Sequence, residues 1–468
     1  MKTMRTPFFF IVSLLASVIM AGCISDDVTY STDAKLSFSR DTLSFDTIFT
    51  DLGSQTARLR VFNRNNKAVN ISSIRVRGDE DIFSINVDGV TGKIFNDVEI
   101  RANDSIYIFV ECFLDENDDS RPFLVEGQLD FETNGNLQTV TLEAYGQNVT
   151  RLRNLTIESD MIFDNPRPYV VFDTLKVAQG ATLTLAPGTR MYFHNKGMLQ
   201  VDGCLKAMGA EGKMILMRGD RLGNVLTDTG YEILAGQWQG IRFGSNSFGN
   251  RMEYVEMQST VHGVVVDSCA VLDRDKLTLV NSWLHNSQGN VLRSAYAKVE
   301  AFGCVFSDAG EATVHLTGGV HDFTQCTLAN YYLFAISPES ILTLSHVLPK
   351  ELEESANPLM KAEFRNSIIY GITSPLTPGD LNDTDVYFRN VLLGVEGSDD
   401  EHFISCLWDE NPLFETIRDE YLFDYRLKED SPAIGAGNPE FVTPIDLHDM
   451  LGVDRLASGN PALGAFAR

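Results

Sequence analysis

At 468 residues, with 44% hydrophobic and 22% charged side chains, the chain has globular composition and enough length for two domains or an elongated repeat. A formal charge of −26 and a pI near 4.6 argue against both nucleic acid and anionic lipid headgroups as partners, and disfavour polyanionic substrates unless a local basic groove or a bound cation intervenes. Helix periodicity is scarce, whereas Val, Ile, Thr and Phe recur in short alternating runs, so the chain is expected to be all-β.

Lys2 and Arg5 open a positive N-terminal region, and Phe8 to Ile19 form an apolar core too short to span a membrane comfortably. Met20-Ala21-Gly22-Cys23 follows. This segment resembles the lipobox of bacterial lipoproteins, with Met20 where Leu is commoner. The resemblance implies a signal peptide over residues 1–22, acylation (palmitate) at Cys23 and a tether over 23–33. Asp26 and Asp27 resemble the acidic export tag of Bacteroidota surface lipoproteins. The expected location is therefore the outer membrane, lipid-anchored at the cell surface, with its periplasmic face as the alternative. No later run of about 18 apolar residues suggests a span.

Residues 34–150 read as a sandwich. Leu36 to Phe38, Leu43 to Phe45, Leu59 to Val61, Ile71 to Val76, Phe83 to Val87, Ile106 to Cys112, Leu129 to Phe131 and Val140 to Leu142 alternate with period two. Asn134-Gly135 predicts a type I′ hairpin. The stretch resembles the immunoglobulin-like domains of the abnormal-spindle/hydin type, though cysteines at bridge positions are missing.

From residue 151 to 404 the texture is that of a solenoid. Leu183 to Thr189 leads into Met191 to Phe193, then Met198 to Leu205, Lys213 to Leu216 and Trp238 to Phe243, short strands separated by turns. These phrases resemble right-handed parallel β-helix proteins. The strings beginning at Leu279, Ala301 and Phe323 are offset by 22 residues, and the pattern returns at Phe364 and Phe388. Stacking aligns these five as an inward apolar column, with Arg365 and Arg389 pointing out. It also aligns a bend column of Asn281, Gly303, Gln325, Asn366 and Asn390, whose amides are expected to bond up and down at ~4.8 Å spacing. Residues 405–468 resemble the terminal segment of secreted β-helix proteins and read as the cover of the last coil.

Candidate chemistry is sparse. Asn286, Asp308 and Asn330 share a register, either as a polar stripe for sugar or cation binding or as a second turn ladder; turn preference favours the ladder. Cys304 and Cys326 stack on successive coils, where side-by-side geometry favours buried thiols over a disulfide. Asp115, Asn117, Asp119 and Glu126 match four positions of a calcium loop, but Ser120 replaces its glycine. Asp380 to Asp385 is another oxygen-rich loop. Arg218, Arg221 and Arg242, with Asp220, could form a basic site of the kind β-helix lyases use. His315 and His321 fit neither a triad nor a metal site. Thr42, Thr47, Ser105 and Thr174, each after an Asp and before an apolar residue, resemble O-glycosylation acceptors of Bacteroidota.

No catalytic residue, cofactor or metal is assigned. The expected function is a non-enzymatic surface module, in which the sandwich acts as spacer and the helix face recognises a polysaccharide or an outer-membrane protein. The alternative is a polysaccharide lyase or glycoside hydrolase on the same scaffold.

Overall fold

A computed structural model describes residues 27–468 except 55, 79–80, 119–120, 165, 227–228, 346–359 and 383. Cys23 and Asp26 lie outside the described residues. The chain is all-β and divides into two compact units between Asn148 and Val149.

The first unit is an immunoglobulin-like sandwich of two five-stranded sheets. One carries Ser37–Phe38, Ala57–Phe62, Ser105–Cys112, Phe83–Val87 and Val90–Gly92 in spatial order. The other carries Thr42–Phe49, Asn136–Gln147, Phe123–Thr133, Val69–Gly78 and Ile94–Ile100. Alternation decides the faces: Leu59, Val61, Ile108, Val110, Leu129, Phe131, Val140 and Leu142 are all fully buried between the sheets. Asn134 and Gly135 both hold positive φ (51° and 77°), as the type I′ turn requires. One pair, Thr42–Phe49 with Asn136–Gln147, runs parallel within the otherwise antiparallel sheets. The expected tether is already attached where the described chain begins. Val28 bridges Ala68, and Thr29 N–H donates to the Ala68 carbonyl at 2.8 Å.

The second unit is a parallel β-helix of three strand ladders. A typical coil runs Leu277–Val280 in the first ladder, Trp283–Ser287 in the second and Leu292–Ala295 in the third; the next runs Lys298–Phe302, Val305–Ala309 and Val314–Thr317. The apolar column has the expected register: Leu279 opposes Ala301, then Phe323, Phe364 and Phe388. All five are fully buried, and the rings stack at 5.3 Å (Phe323–Phe364) and 4.8 Å (Phe364–Phe388). Phe403 continues the stack at 4.7 Å, with the Trp408 ring 5.1 Å from it, so residues 403–408 close the last coil.

The first and second ladders join at a one-residue bend. Asn281, Gly303, Gln325, Asn366 and Asn390 hold φ between 45° and 63°, the left-handed region that Gly and Asn enter most cheaply. A second left-handed column, Ser259, Asn286 and Asp308, kinks the second ladder.

The amides of the bend column do not chiefly bond one another. Asn281 Nδ2 donates to the His448 carbonyl (3.1 Å), Asn366 exchanges two bonds with the Asn438 backbone (2.8 and 2.9 Å), and Asn390 Nδ2 donates to Ala436 O (3.1 Å). Gln325, with its amide oriented to suit both sides, donates to Ala462 O and Gly464 O and accepts from Asn366. That last contact retains the expected ladder geometry. The column is thus a rail on which the C-terminal segment is seated. From Phe414 onward this segment runs along the outer side of the second ladder, burying Val305, Ala329, Ile368 and Leu392 beneath Tyr425, Leu427, Leu463 and Phe466. Its cover therefore reaches far beyond the last coil.

At Gly303 a Cβ would fall 2.3 Å from Asn281 Oδ1 and 3.0 Å from an Arg455 nitrogen. The space that glycine leaves admits the buried Arg455 guanidinium, which donates to the carbonyls of Asp446, Gly464 and Ala465.

Candidate functional site

Among the described residues, the C-terminal segment packs against the second ladder at Trp283 and the coils after it, and just ahead of that cover the ladder's outer side carries a stripe of paired polar groups. Cross-strand register places Leu216 opposite Glu256, then Trp283, then Val305; Gln258 opposes His285, then Ser307. Glu256, Trp283 and His285 consequently project from neighbouring strands. His285 Nε2 stands 3.8 Å from Glu256 Oε1, and the His285 and Trp283 rings are 4.6 Å apart. Trp283 donates its indole N–H to Ser307 Oγ (3.2 Å) and meets the Tyr425 ring edge-on at 6.2 Å. His285 and, more weakly, Arg218 hold the Glu256 carboxyl below the usual carboxylate range against the opposing effect of burial.

One wall of the stripe is the long turn between Ile215–Gly219 and Gly240–Phe243. Its short 3-10 turn, Tyr231–Ile233, is fastened by Asn286 Nδ2 and Ser259 Oγ, both donating to the Glu232 carbonyl (2.6 and 3.1 Å). Glu232 then reaches Arg218 at 3.4 Å. Upstream, His194 Nδ1 lies 2.6 Å from Asp220 Oδ2, and Arg153 covers Phe172 at 3.7 Å. The other wall is the C-terminal segment. There Tyr425 donates its hydroxyl hydrogen at 2.9 Å from both oxygens of the buried Asp308. Burial raises both the Asp308 carboxyl and the Tyr425 phenol above their ordinary values.

The candidates from sequence fare unevenly. Arg218 joins the stripe through Glu232, and Arg221 lies over the Tyr231 ring at 5.6 Å, but Arg242 sits in the third ladder and is paired with Asp267 (2.9 Å). The three arginines therefore do not form one basic site. Asn286, Asp308 and Asn330 are buried and bonded to the Glu232 carbonyl, the Tyr331 amide and the Ala309 backbone. They are a turn ladder, and Asn330 itself lacks the positive φ of the other two. Cys304 and Cys326 are free buried thiols; desolvation pushes Cys304 up to about 12 and raises Cys326 well above the usual thiol range too. In the calcium-like loop, both Asn117 oxygens accept from the buried Asn148 amide (2.9 and 2.6 Å), and Asp119 lies outside the described residues. Asp383 of the second oxygen-rich loop does too, and there Asn382 bonds Asp380. Among the described residues, no three His, Cys, Asp or Glu side chains are grouped to hold a metal ion. His315 pairs with Glu339 (3.5 Å), whereas His321 is buried in the core against the Gly318 carbonyl. Thr42 and Thr174 are exposed; Thr47 and Ser105 are half-buried, and Ser105 Oγ accepts from Arg60. Asp27 pairs with Lys67 at 3.8 Å.

The sequence reading missed Glu256, Trp283, His285 and Glu232. Trp283 and His285 lie inside a recognised repeat, but the 20-residue turn from Asp220 to Gln239 breaks the period that would have set Glu256 and Glu232 beside them.

No family model and no curated protein matches the chain. Solved structures overlap it in part. A family 123 glycoside hydrolase from Clostridium perfringens, studied for glycolipid glycan hydrolysis, is 9% identical over 27% of this chain, with a TM-score of 0.20. A PapD-like (ASH) domain of human CEP192 is 10% identical over 25% of this chain and 86% of its own length, at 0.17. A Porphyromonas gingivalis protein of unknown function is 11% identical over 26% of this chain and 60% of its own, also at 0.17. The chain spans 30% of the length of the glycoside hydrolase.

Proposed function

We propose that this is a lipid-anchored protein of the bacterial outer membrane, acylated at Cys23 and exposed at the cell surface, whose β-helix flank binds a glycan at the Trp283 stripe. The observation that carries the binding site is the half-buried Trp283 ring beside His285 and Glu256, in a row where the charged groups are matched in pairs. An amphipathic ring offers a flat apolar face to a sugar ring, while paired acid and base groups around it supply donors and acceptors with little net charge. That suits a neutral polyhydroxyl ligand, and it suits binding more than turnover. Asp308, which would be the second carboxylate of a hydrolytic pair, spends both oxygens on Tyr425 under the C-terminal segment. The test is a glycan-array screen of the protein beside its Trp283→Ala variant. Binding that falls at least tenfold in the variant is the expected result; equal binding, or none to any glycan, overturns the site.

One observation favours a second reading, a polysaccharide lyase or glycoside hydrolase. Glu232 and Glu256 both feel the Arg218 guanidinium, so one of them could act as acid and the other as base. Shortened products from a bound glycan, abolished by Glu256→Gln, would establish that reading in place of simple binding.

A further inference from the structure

The solvent face of the sheet holding Ala57–Phe62 and Ser105–Cys112 opposes the charge of the whole chain. Tyr107 and Phe109 stand out from it, 41% and 40% exposed, with rings stacked at 6.5 Å. Arg60 lies opposite Tyr107 in the register and Arg58 opposite Phe109. The Arg58 guanidinium sits 5.2 Å from the Tyr107 ring centre, Arg60 lies 4.8 Å from that of Phe62, and Arg64 likewise 4.8 Å from Phe62. These side chains form one strip of alternating cations and aromatic rings. Its only carboxylate from the sheet's strands, Glu111, is at the far end and accepts from Thr56 Oγ1 (2.8 Å). Among the described residues, none of the three guanidiniums has a carboxylate partner.

Covalent geometry says what this strip faces. Asp27 is fastened beside Ala68, on the turn that follows Phe62 and Arg64, and Asn63 closes that turn onto the Lys67 carbonyl. Cys23 precedes Asp27 by four residues, so even fully extended the leash reaches ~14 Å. An acyl group on Cys23 therefore holds the Phe62–Arg64 end of the strip at the membrane.

We infer that, in the anchored protein, the Arg58–Arg60–Arg64 and Tyr107–Phe109 strip lies against phospholipid headgroups. This rests on the reading of Cys23 as lipidated. Guanidiniums donate to lipid phosphates in pairs, and aromatic rings settle at the headgroup level. The sandwich is then a membrane-lying domain rather than an upright spacer, and the acidic remainder of the chain does not prevent it because screening confines each charge to about 10 Å.

The test uses the lipidated full chain in vesicles of phosphatidylethanolamine and phosphatidylglycerol with brominated acyl chains. Tryptophan emission is compared in Phe109→Trp and Leu137→Trp, after subtraction of the parent. Leu137 is 60% exposed and near the leash, since its neighbour Asn136 donates to Thr32 O, but it belongs to the other sheet. Quenching at least threefold stronger for Phe109→Trp, abolished when Arg58, Arg60 and Arg64 are changed to Glu, is the expected result. Equal quenching in protein that still floats with vesicles overturns the strip and leaves the anchor; an acidic protein partner would then be the occupant to seek. A Cys23→Ala chain that floats as well as the parent overturns the anchor instead.

Discussion

Two columns rise through the same coils of the β-helix, one inside and one at the bend, and they hold the molecule together differently. The inner column of Phe323, Phe364 and Phe388 packs against copies of itself one coil away, so its meaning is complete within the repeat. The bend column of Asn281, Gly303, Gln325, Asn366 and Asn390 takes its partners from a segment 72 to 167 residues later where it bonds Asn438 and His448. A repeated apolar residue in a solenoid thus builds the stack, whereas a repeated amide can build a docking rail for something outside it. The chemistry agrees: Asn enters the left-handed bend at low cost, and once there its side chain points away from the core with two N–H donors and a carbonyl acceptor to offer.

The largest effects should separate the two columns. Phe364→Ala removes a fully buried ring stacked on both sides and is expected to cost about 3–5 kcal/mol. Arg455→Met should cost a similar ~3–5 kcal/mol, because three buried carbonyls and the neighbouring buried Asp446 and Asp449 lose their cation. The two losses should look unlike each other. All three tryptophans, Trp238, Trp283 and Trp408, lie in the β-helix unit, so urea unfolding read at tryptophan reports it alone. Phe364→Ala should move the whole transition; Arg455→Met should first release residues after Asn411 to protease. Simultaneous loss of segment and coils in Arg455→Met would show that the rail is part of the core.

The inner columns are mostly apolar, and pH probes the buried histidine among them. His321 follows Leu277 and Val299 and precedes Ala362 and Val386 on the core side of the first ladder. Burial pushes its imidazole from 6.5 down to about 4, although its bond to the Gly318 carbonyl opposes the shift. In the folded chain His321 is then neutral through a range where the unfolded chain takes up a proton. Its stabilising share is whole above pH 6.5 and is lost as pH falls toward 4, to the extent of ~3 kcal/mol. Against His321→Gln, the parent should lose that much more stability between pH 6.5 and 4. Parallel curves would mean the imidazole is protonated in place.

How much of this was legible follows from where each partner sits. The 22-residue offsets exposed the inner column because inward residues answer to neighbours at a fixed separation. The Asn134-Gly135 turn was equally plain, since its backbone demands those residues. The rail was half legible: the sequence showed amides at every bend, but an Asn bonded to the next coil and one bonded to Ala436 look alike. The Glu256–His285–Trp283 stripe was hidden, because its wall is an insertion with no period and its other side is the C-terminal segment. The cation–aromatic strip went unseen because its arginines alternate with buried residues and only strand pairing brings Tyr107 and Phe109 beside them.

The smallest effects test the comparison most finely, on two adjacent residues of one strand. Asn366 belongs to the rail and Arg365 to the solvent side of the first ladder, where sequence alone predicts a nearly free change to Ala. The structure gives Arg365 partners: it forms an ion pair with Asp322 and donates from Nε to Thr324 Oγ1 at 3.1 Å. Its side chain is still 25% exposed, and an ion pair so placed contributes about 1 kcal/mol or less, screened by salt. Asn366→Gly keeps the left-handed backbone (φ 48°) while deleting both bonds to Asn438, leaving that half-buried backbone pair unmet at a cost of about 1 kcal/mol. Salt should discriminate where size does not. Raising it should shrink the Arg365→Ala loss toward zero and leave the Asn366→Gly loss unchanged, because the amide bonds carry no net charge. A salt-sensitive Asn366→Gly loss would mean that electrostatics, and not the amide rail, seats the C-terminal segment.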